Sequence, residues 1–400
     1  MLLFLHFNLE TALLNQFNIR IISMSISQQY FIPHDIENDS TLNERLHRLH
    51  ERLLITIPNI DRIACATYDA KEDRLRTFIN STRAGLALSD YAFKLADSRS
   101  LSRIAQSGES RVIDEIKNAI APNSLHSEWL LSEGYQSSFT IPMYDNDAFV
   151  GFIFFDSFQS SAFSAIVQRD IKLYANLITM SISSELSAIR TITASVQMAR
   201  EFTQLRDFET GAHLERMARY SRVIAESIAQ IHNLSDEFIG HVFLFAPLHD
   251  IGKIGIPDNI LLKPGKFTTE ERLIMESHVV KGVSMIKKIL GEYGLEHLPD
   301  SAIMVNIAAC HHELLDGSGY PMALKGNAIP IEARIITVAD IFDALTTTRP
   351  YKDAWTFEKA CAEIKQMAEA GKLDLDCVNA ISSHEPEIKE ILNRYQDSDS

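Results

Sequence analysis

Apolar residues recur every three to four positions through NERLHRLHERLLITIPN (43–59), which predicts a helix that stops at Pro58. RIACATYD (62–69), SFTIPMYD (138–145) and AFVGFIFFDS (148–157) are short runs rich in β-branched and aromatic residues and read as strands. The turn residues Asn146 and Asp147 join the last two as a hairpin, and a helical stretch is expected near 90–107. From Asp170 to Arg206 there is no proline or glycine, and Ile171, Ile178, Ile182, Leu186, Ile189, Ile192 and Val196 fall three, four or seven apart. That pattern predicts one long helix over 170–206. Its apolar seam faces either an identical chain, giving a parallel homodimer, or the helix's own domain.

The downstream half looks helical by composition, yet nine of the sixteen glycines lie between 252 and 326, so turns interrupt it. Loops on a helical scaffold are common seats of function. Ligand-type side chains punctuate its apolar runs. Glu209 and His213 stand four apart, on one face if helical. His249-Asp250 follow HVFLFAPL, His278 lies in MESHVVKG, His311-His312 end IMVNIAAC, and Asp340 ends ARIITVAD. Each alone has a plain explanation as a hydrogen-bonded core histidine or a helix cap. Together they would cost several kcal/mol apiece if buried without partners, and a shared cluster of divalent metals offsets that cost. The mixed nitrogen and oxygen set suits iron or manganese better than soft-metal sites. Neighbouring ligands on a helix diverge by about 100°, which fits a centre of more than one metal.

Composition narrows the class without adding chemistry. With 46% hydrophobic and 23% charged residues over 400 positions, the chain has material for two or three folded domains. The net charge of −15 disfavours DNA, RNA or anionic lipid as partners, so an anionic substrate needs local cations. Cys65, Cys310, Cys361 and Cys377 show no paired spacing and read as reduced thiols of a cytoplasmic protein. No apolar run is long enough for a membrane span. The apolar start, 1–23, contains Glu10 and fits a signal peptide poorly; it reads as an upstream-start artefact or a loosely packed helix, within an N-terminal extension over 1–42.

Two resemblances sharpen this. EGYQSSFTIPMYDNDAFVGFIFFDS, with the pattern over 43–185, resembles the GAF family of small-molecule sensor domains, which implies an α+β module and an unidentified small ligand. LHDIGKIGIPDNILLKPGKFT, MESH, HHELLDGSGYP and ARIITVADIFDALTTTRPYKDAW resemble the HD-GYP subgroup of HD-domain phosphohydrolases over about 203–380, within a domain expected over 203–395. The resemblance implies an all-α domain with two or three divalent metals that hydrolyses the messenger cyclic di-GMP to pGpG, with GMP as a further product. Carried over by position, the metal ligands are Glu209, His213, His249, Asp250, His278, His311, His312 and Asp340, with Glu209 marking a third metal. Leu314-Leu315 replace the family's frequent Arg-Trp, and its Phe-Asp-Pro survives only as Leu373-Asp374-Leu375.

The expected chemistry is attack on phosphorus by a water activated between metals about 3.5–4 Å apart, bridged by Asp250. Lys253 reaches the scissile phosphate, Arg349 and Lys352 grip phosphate, Tyr320 bonds a phosphate or stacks near a base, and Asp207 orients water or the leaving group. Two alternatives stand beside this reading. One is a phosphohydrolase for another cyclic dinucleotide; the other is a catalytically weak receptor acting through protein partners.

Overall fold

The computed structural model describes residues 40–396 apart from 86, 90, 121–124, 203–210, 293–299 and 349–352, with 195–202 as backbone only. Helix α1 (Leu42–Thr56) starts where Thr41 and Glu44 form a reciprocal capping box, and its stripe Leu42, Leu46, Leu49, Leu53 is buried. It lies against a six-stranded antiparallel sheet of order β3-β2-β1-β6-β5-β4. The strands are β1 (Arg62–Asp69), β2 (Arg74–Thr82), β3 (Ala92–Lys94), β4 (Arg111–Ile113), β5 (Ser137–Asp145) and β6 (Ala148–Ser157). Asn146 and Asp147 both take positive φ, 47° and 64°, as a two-residue hairpin turn requires. Directly across β1 and β6, Arg62 faces Asp156, and the two form a fully buried ion pair.

Two local readings of the sequence change here. Strand β2 was not anticipated: the apolar residues of RLRTFINST are Leu75, Phe78 and Ile79, which do not alternate, and its pairing with β1 carries a register shift at Cys65/Ala66. The stretch near 90–107 is not one helix: Ala92–Lys94 pairs with β2 as an edge strand, and helix α2 (Arg99–Ser107) begins only where the Ser98 hydroxyl caps the Leu101 amide.

Short helices α3 (Ile116–Ala119) and α4 (Leu125–Ser132) precede β5, and helix α5 (Ala165–Phe202), 38 residues long, joins the α+β part to a second part in which every described element is helical. Among its described residues, the seam is covered by the same chain and not by a second copy. Ile171, Ile178, Ile182, Leu186, Ile189 and Ile192 are all at most 7% exposed, covered by α1, β5 and the downstream helical core of the same chain. An apolar seam looks the same in sequence whichever surface covers it. Among the described residues, the large exposed apolar side chains of α5 are Ile166, Leu173 and Met180.

The helical part comprises α6 (Gly211–His232), α7 (Asp236–Phe245), α8 (Asp258–Leu261), α9 (Thr269–Glu276), α10 (His278–Glu292), α11 (Ser301–Cys310), α12 (Ile331–Thr346), α13 (Phe357–Glu369), α14 (Leu375–Ser383) and α15 (Glu385–Arg394). Helices α6, α7, α11, α12, α13 and α14 share one core with the end of α5, centred on residues such as Tyr220, Val242, Ile307, Ile336 and Phe342. Two joints tie it to the sheet domain. At the first, the β1–β2 hairpin meets α6: Arg219 donates to Glu72 at 2.9 Å, Arg76 to Glu226 at 3.3 Å, and Lys71 pairs with Glu215. At the second, Glu237 of α7 accepts from the Leu42 and Asn43 amides at the start of α1, and buried His241 lies between Glu185 of α5 and Asp300 at 3.3 and 3.2 Å. Arg45 of α1 pairs with Glu185. No helix among the described residues is long and apolar enough to cross a membrane.

Candidate metal centre

Four helix ends converge at one side of the helical core. His213 sits on the first turn of α6 and is buried. His249 and Asp250 lie in the turn between two 3-10 segments, Ala246–Leu248 and Ile251–Gly255. His278 opens α10, His311 and His312 follow α11, and Asp340 lies within α12. The vicinal pairs therefore diverge at turns just outside helices rather than along them. A tight packing point sets the spacing: a Cβ on Gly252 would come within 1.9 Å of the His278 carbonyl oxygen, so only glycine lets the Asp250 turn approach α10 this closely.

The side chains fall into two groups whose ligand atoms lie within 4.8 Å of one another: Asp250, His278, His311 and His312, and His213, His249 and Asp340. Asp250 joins them. Its Oδ1 lies 3.0 Å from His278 Nε2 and 3.5 Å from His311 Nε2, while its Oδ2 lies 3.2 Å from His249 Nε2. Asp207 and Glu209, and the phosphate-gripping pair Arg349 and Lys352, lie outside the described residues.

The protonation pattern of the imidazoles is set from behind. His249, His278 and His311 place Nδ1 against the Ala246, Met275 and Ile307 carbonyls at 2.8, 2.7 and 3.0 Å. His213 Nδ1 faces the Asp343 carboxylate at 2.8 Å. A carbonyl only accepts, so each Nδ1 keeps its proton and each Nε2 lone pair points inward. Burial pushes His311 and His312 down, which keeps both neutral, the form that ligates metal. Burial alone would raise Asp250, but the Lys253 ammonium beside it outweighs that and holds the carboxyl well below its usual range. His278 Nε2, His311 Nε2 and Asp250 Oδ1 are buried without a hydrogen-bond partner among the described residues. Lone pairs and carboxylate oxygens gathered in this way fit divalent cations, and little else relieves their burial.

Asp343 and Arg216 were not anticipated. Arg216 is 2% exposed and grips Asp343 through Nε at 2.6 Å and Nη2 at 3.0 Å, and it donates to the Tyr395 carbonyl at 2.7 Å. Burial favours the neutral acid, but His213 and Arg216 hold the Asp343 carboxyl at about 2. A signal was available: Asp343 follows Asp340 by three residues and Arg216 follows His213 by three, so each shares a helix face with a ligand.

The centre is open on one side. His312, Asp340, Tyr320 and Lys253 are half-buried, whereas His213, His249, Asp250, His278 and His311 are buried. Lys253 Nζ reaches Asp250 Oδ2 at 2.8 Å, and the Tyr320 ring stacks on His312 with centroids 4.7 Å apart. Burial, with Asp250 beside it, pushes the Tyr320 hydroxyl up, so it stays protonated and able to donate.

The sequence is similar to several known proteins. Residues 208–376 match the HD domain family. The chain is 41% identical over 193 residues to the cyclic di-GMP phosphodiesterase response regulator RpfG of Xanthomonas campestris pv. campestris (strain 8004), covering 48% of each protein. It is 40% identical over 199 residues to the 3′3′-cGAMP-specific phosphodiesterase 2 of Vibrio cholerae serotype O1, covering 48% of this chain and 33% of the relative. The chain thus spans about half or less of the length of these curated relatives. Among solved structures, the GAF domain/HD domain protein from Geobacter sulfurreducens aligns at 12% identity and TM-score 0.30, over 36% of this chain and 93% of that one.

Proposed function

We propose that this chain, whose residues 208–376 form an HD domain of the HD-GYP type, is a metal-dependent phosphodiesterase acting on cyclic di-GMP. The observation that carries the reading is the outward anchoring of four Nδ1 atoms, which leaves Nε2 of His249, His278 and His311 within 3.5 Å of Asp250 and His213 grouped with His249 and Asp340. His213, His249 and Asp340 would hold one ion, His278, His311 and His312 another, and Asp250 would serve both. Glu209 would complete a third position, and iron or manganese suits the donor set. Bound divalent ions supply two things: a lowered pKa for attacking water and charge neutralisation on the phosphoryl oxygens.

The chain's own groups do the rest. Lys253, held at the open side by Asp250, offers a cation to the scissile phosphate. Tyr320 offers a protonated hydroxyl or its ring face. Arg349 and Lys352 would grip the second phosphate, Arg349 bidentately. Asp207 would orient water or take up a proton at the leaving oxygen. The linear product pGpG, with GMP as a further product, follows from in-line hydrolysis of one ester at a time. Regulation by a small molecule at the sheet domain is part of this proposal, supported by the two charged joints between that domain and α6 and α7.

One observation favours keeping a second substrate in view: identity to a cGAMP-specific relative is 40%, beside 41% to the cyclic di-GMP enzyme. Purified metal-loaded protein assayed on both dinucleotides separates the two. Asp250→Ala and His249→Ala should each abolish turnover and lower bound metal while the sheet domain stays folded. Full metal content and turnover in Asp250→Ala would overturn the assignment.

A further inference from the structure

We infer that Glu313 is a positioning residue that sets Tyr320 over the open edge of the metal centre; the inference rests on the phosphodiesterase reading and extends it. Glu313 directly follows the His311-His312 pair, yet its side chain turns away from the cluster. It is 2% exposed, and its carboxylate accepts from the Met322 amide at 2.7 Å through Oε1 and from the Leu324 amide at 2.9 Å through Oε2. Both oxygens are thus spent on the backbone just beyond Tyr320. A charged carboxylate accepting two amide protons is a strong anchor for a turn that has no regular secondary structure of its own.

The rest of the loop is pinned around that anchor. The Tyr320 amide donates to the His312 carbonyl at 3.2 Å, and the Gly317 amide to the Leu314 carbonyl at 2.8 Å. A Cβ on Gly319 would fall 2.4 Å from the Leu314 nitrogen and 2.5 Å from Glu313 Cα, so the loop folds flat on the segment carrying Glu313. The outcome of these contacts is the stack of the Tyr320 ring on His312, at 4.7 Å and 28°, with the His278 ring edge-on at 6.4 Å. His312 is itself on the open side. Loosening the Glu313 anchor would free Tyr320 to leave that edge, while the ligands themselves keep their separate anchors.

The test uses the full chain with metals loaded, comparing wild type, Glu313→Gln, Tyr320→Ala and the double variant. Gln keeps the length but puts an amide donor against one of the two backbone N–H groups. Glu313→Gln should retain wild-type metal content and lose about tenfold in kcat/KM on cyclic di-GMP. The double variant should lose no more than Tyr320→Ala alone, because both act through one ring. Hydrogen exchange in the segment 316–325 should speed up in Glu313→Gln and stay slow in Tyr320→Phe. Multiplicative losses in the double variant, loss of metal in Glu313→Gln, or unchanged exchange would each overturn the inference. Absence of wild-type turnover on any cyclic dinucleotide would instead overturn the phosphodiesterase reading, while the exchange comparison would still decide the role of Glu313 in the loop.

Discussion

Replacing Asp343 with Asn probes how far the metal centre depends on a residue that is not itself among the clustered ligands. The carboxylate serves two partners, His213 Nδ1 at 2.8 Å and the fork of Arg216 at 2.6 and 3.0 Å, and it is 1% exposed. Asn keeps one acceptor oxygen but removes the charge facing a guanidinium that is 2% exposed. Breaking one side of a buried ion pair costs about 3–5 kcal/mol. Because Arg216 retains the Tyr395 carbonyl, the lower end applies, about 3 kcal/mol. The acid side gives a consistent figure. A carboxyl moved from 3.8 to about 2 corresponds to about 2 kcal/mol, fully present above pH 4 and lost as pH falls through 2. The amide has a second effect. If its NH2 faces His213, the imidazole must accept at Nδ1 and carry its proton on Nε2, which removes the lone pair a metal needs. Metal affinity should then fall by about 10–100-fold. Urea unfolding of chelated protein reads the first effect, and elemental analysis after dialysis against limiting manganese reads the second. An Asn variant within 0.5 kcal/mol of wild type, with unchanged metal content, would refute the argument.

Two further outcomes follow from the packing. Burial alone would lower His241, but its bonds to Asp300 and Glu185 prevail and raise it to about 9, so its pair of contacts contributes stability below pH 6.5 that is lost as pH rises through 9. Unfolding free energies from urea titrations at pH 6.5 and 9.5 should differ by about 3 kcal/mol in wild type, in a field that also includes Glu237 and Arg45, and by much less in His241→Phe; an equal drop in both proteins would exclude His241 as the cause. Gly252→Ala should force the Asp250 turn away from α10, costing about 1–3 kcal/mol and most of the bound metal, because the added carbon meets backbone rather than a movable side chain. Wild-type metal content in that variant would show that the turn can adapt.

How much of this was legible beforehand differs by element. The hairpin over Ser137–Ser157 and the helix after Ser40 could be read because period and turn chemistry agree there. Strand β3 was hidden because three residues of edge strand carry no period at all. The ligand-type residues stood out as polar interruptions of apolar runs, and His213, His249, Asp250, His278, His311, His312 and Asp340 do gather in two adjoining groups. Their supports did not stand out. Asp343 and Glu313 are single acidic letters, and only the fold shows that one faces a histidine and the other a pair of backbone amides. The seam of α5 was legible as a seam, but nothing in a one-dimensional pattern says whether its cover comes from the same chain.

Helix α6 carries His213 and Arg216 on its centre-facing side and Glu215, Arg219 and Glu226 on the side held by the β1–β2 hairpin. One rigid rod therefore belongs to both halves of the molecule, and thermodynamic reciprocity follows. Whatever free energy a ligand of the sheet domain spends on shifting that rod relative to Asp250 must reappear, with the same magnitude, as a change in that ligand's own affinity when the centre fills. Under the proposed regulation, metal binding and ligand binding at the sheet domain would be thermodynamically coupled. A titration at one end, run with the other end first empty and then saturated, measures the coupling constant without any catalytic assay.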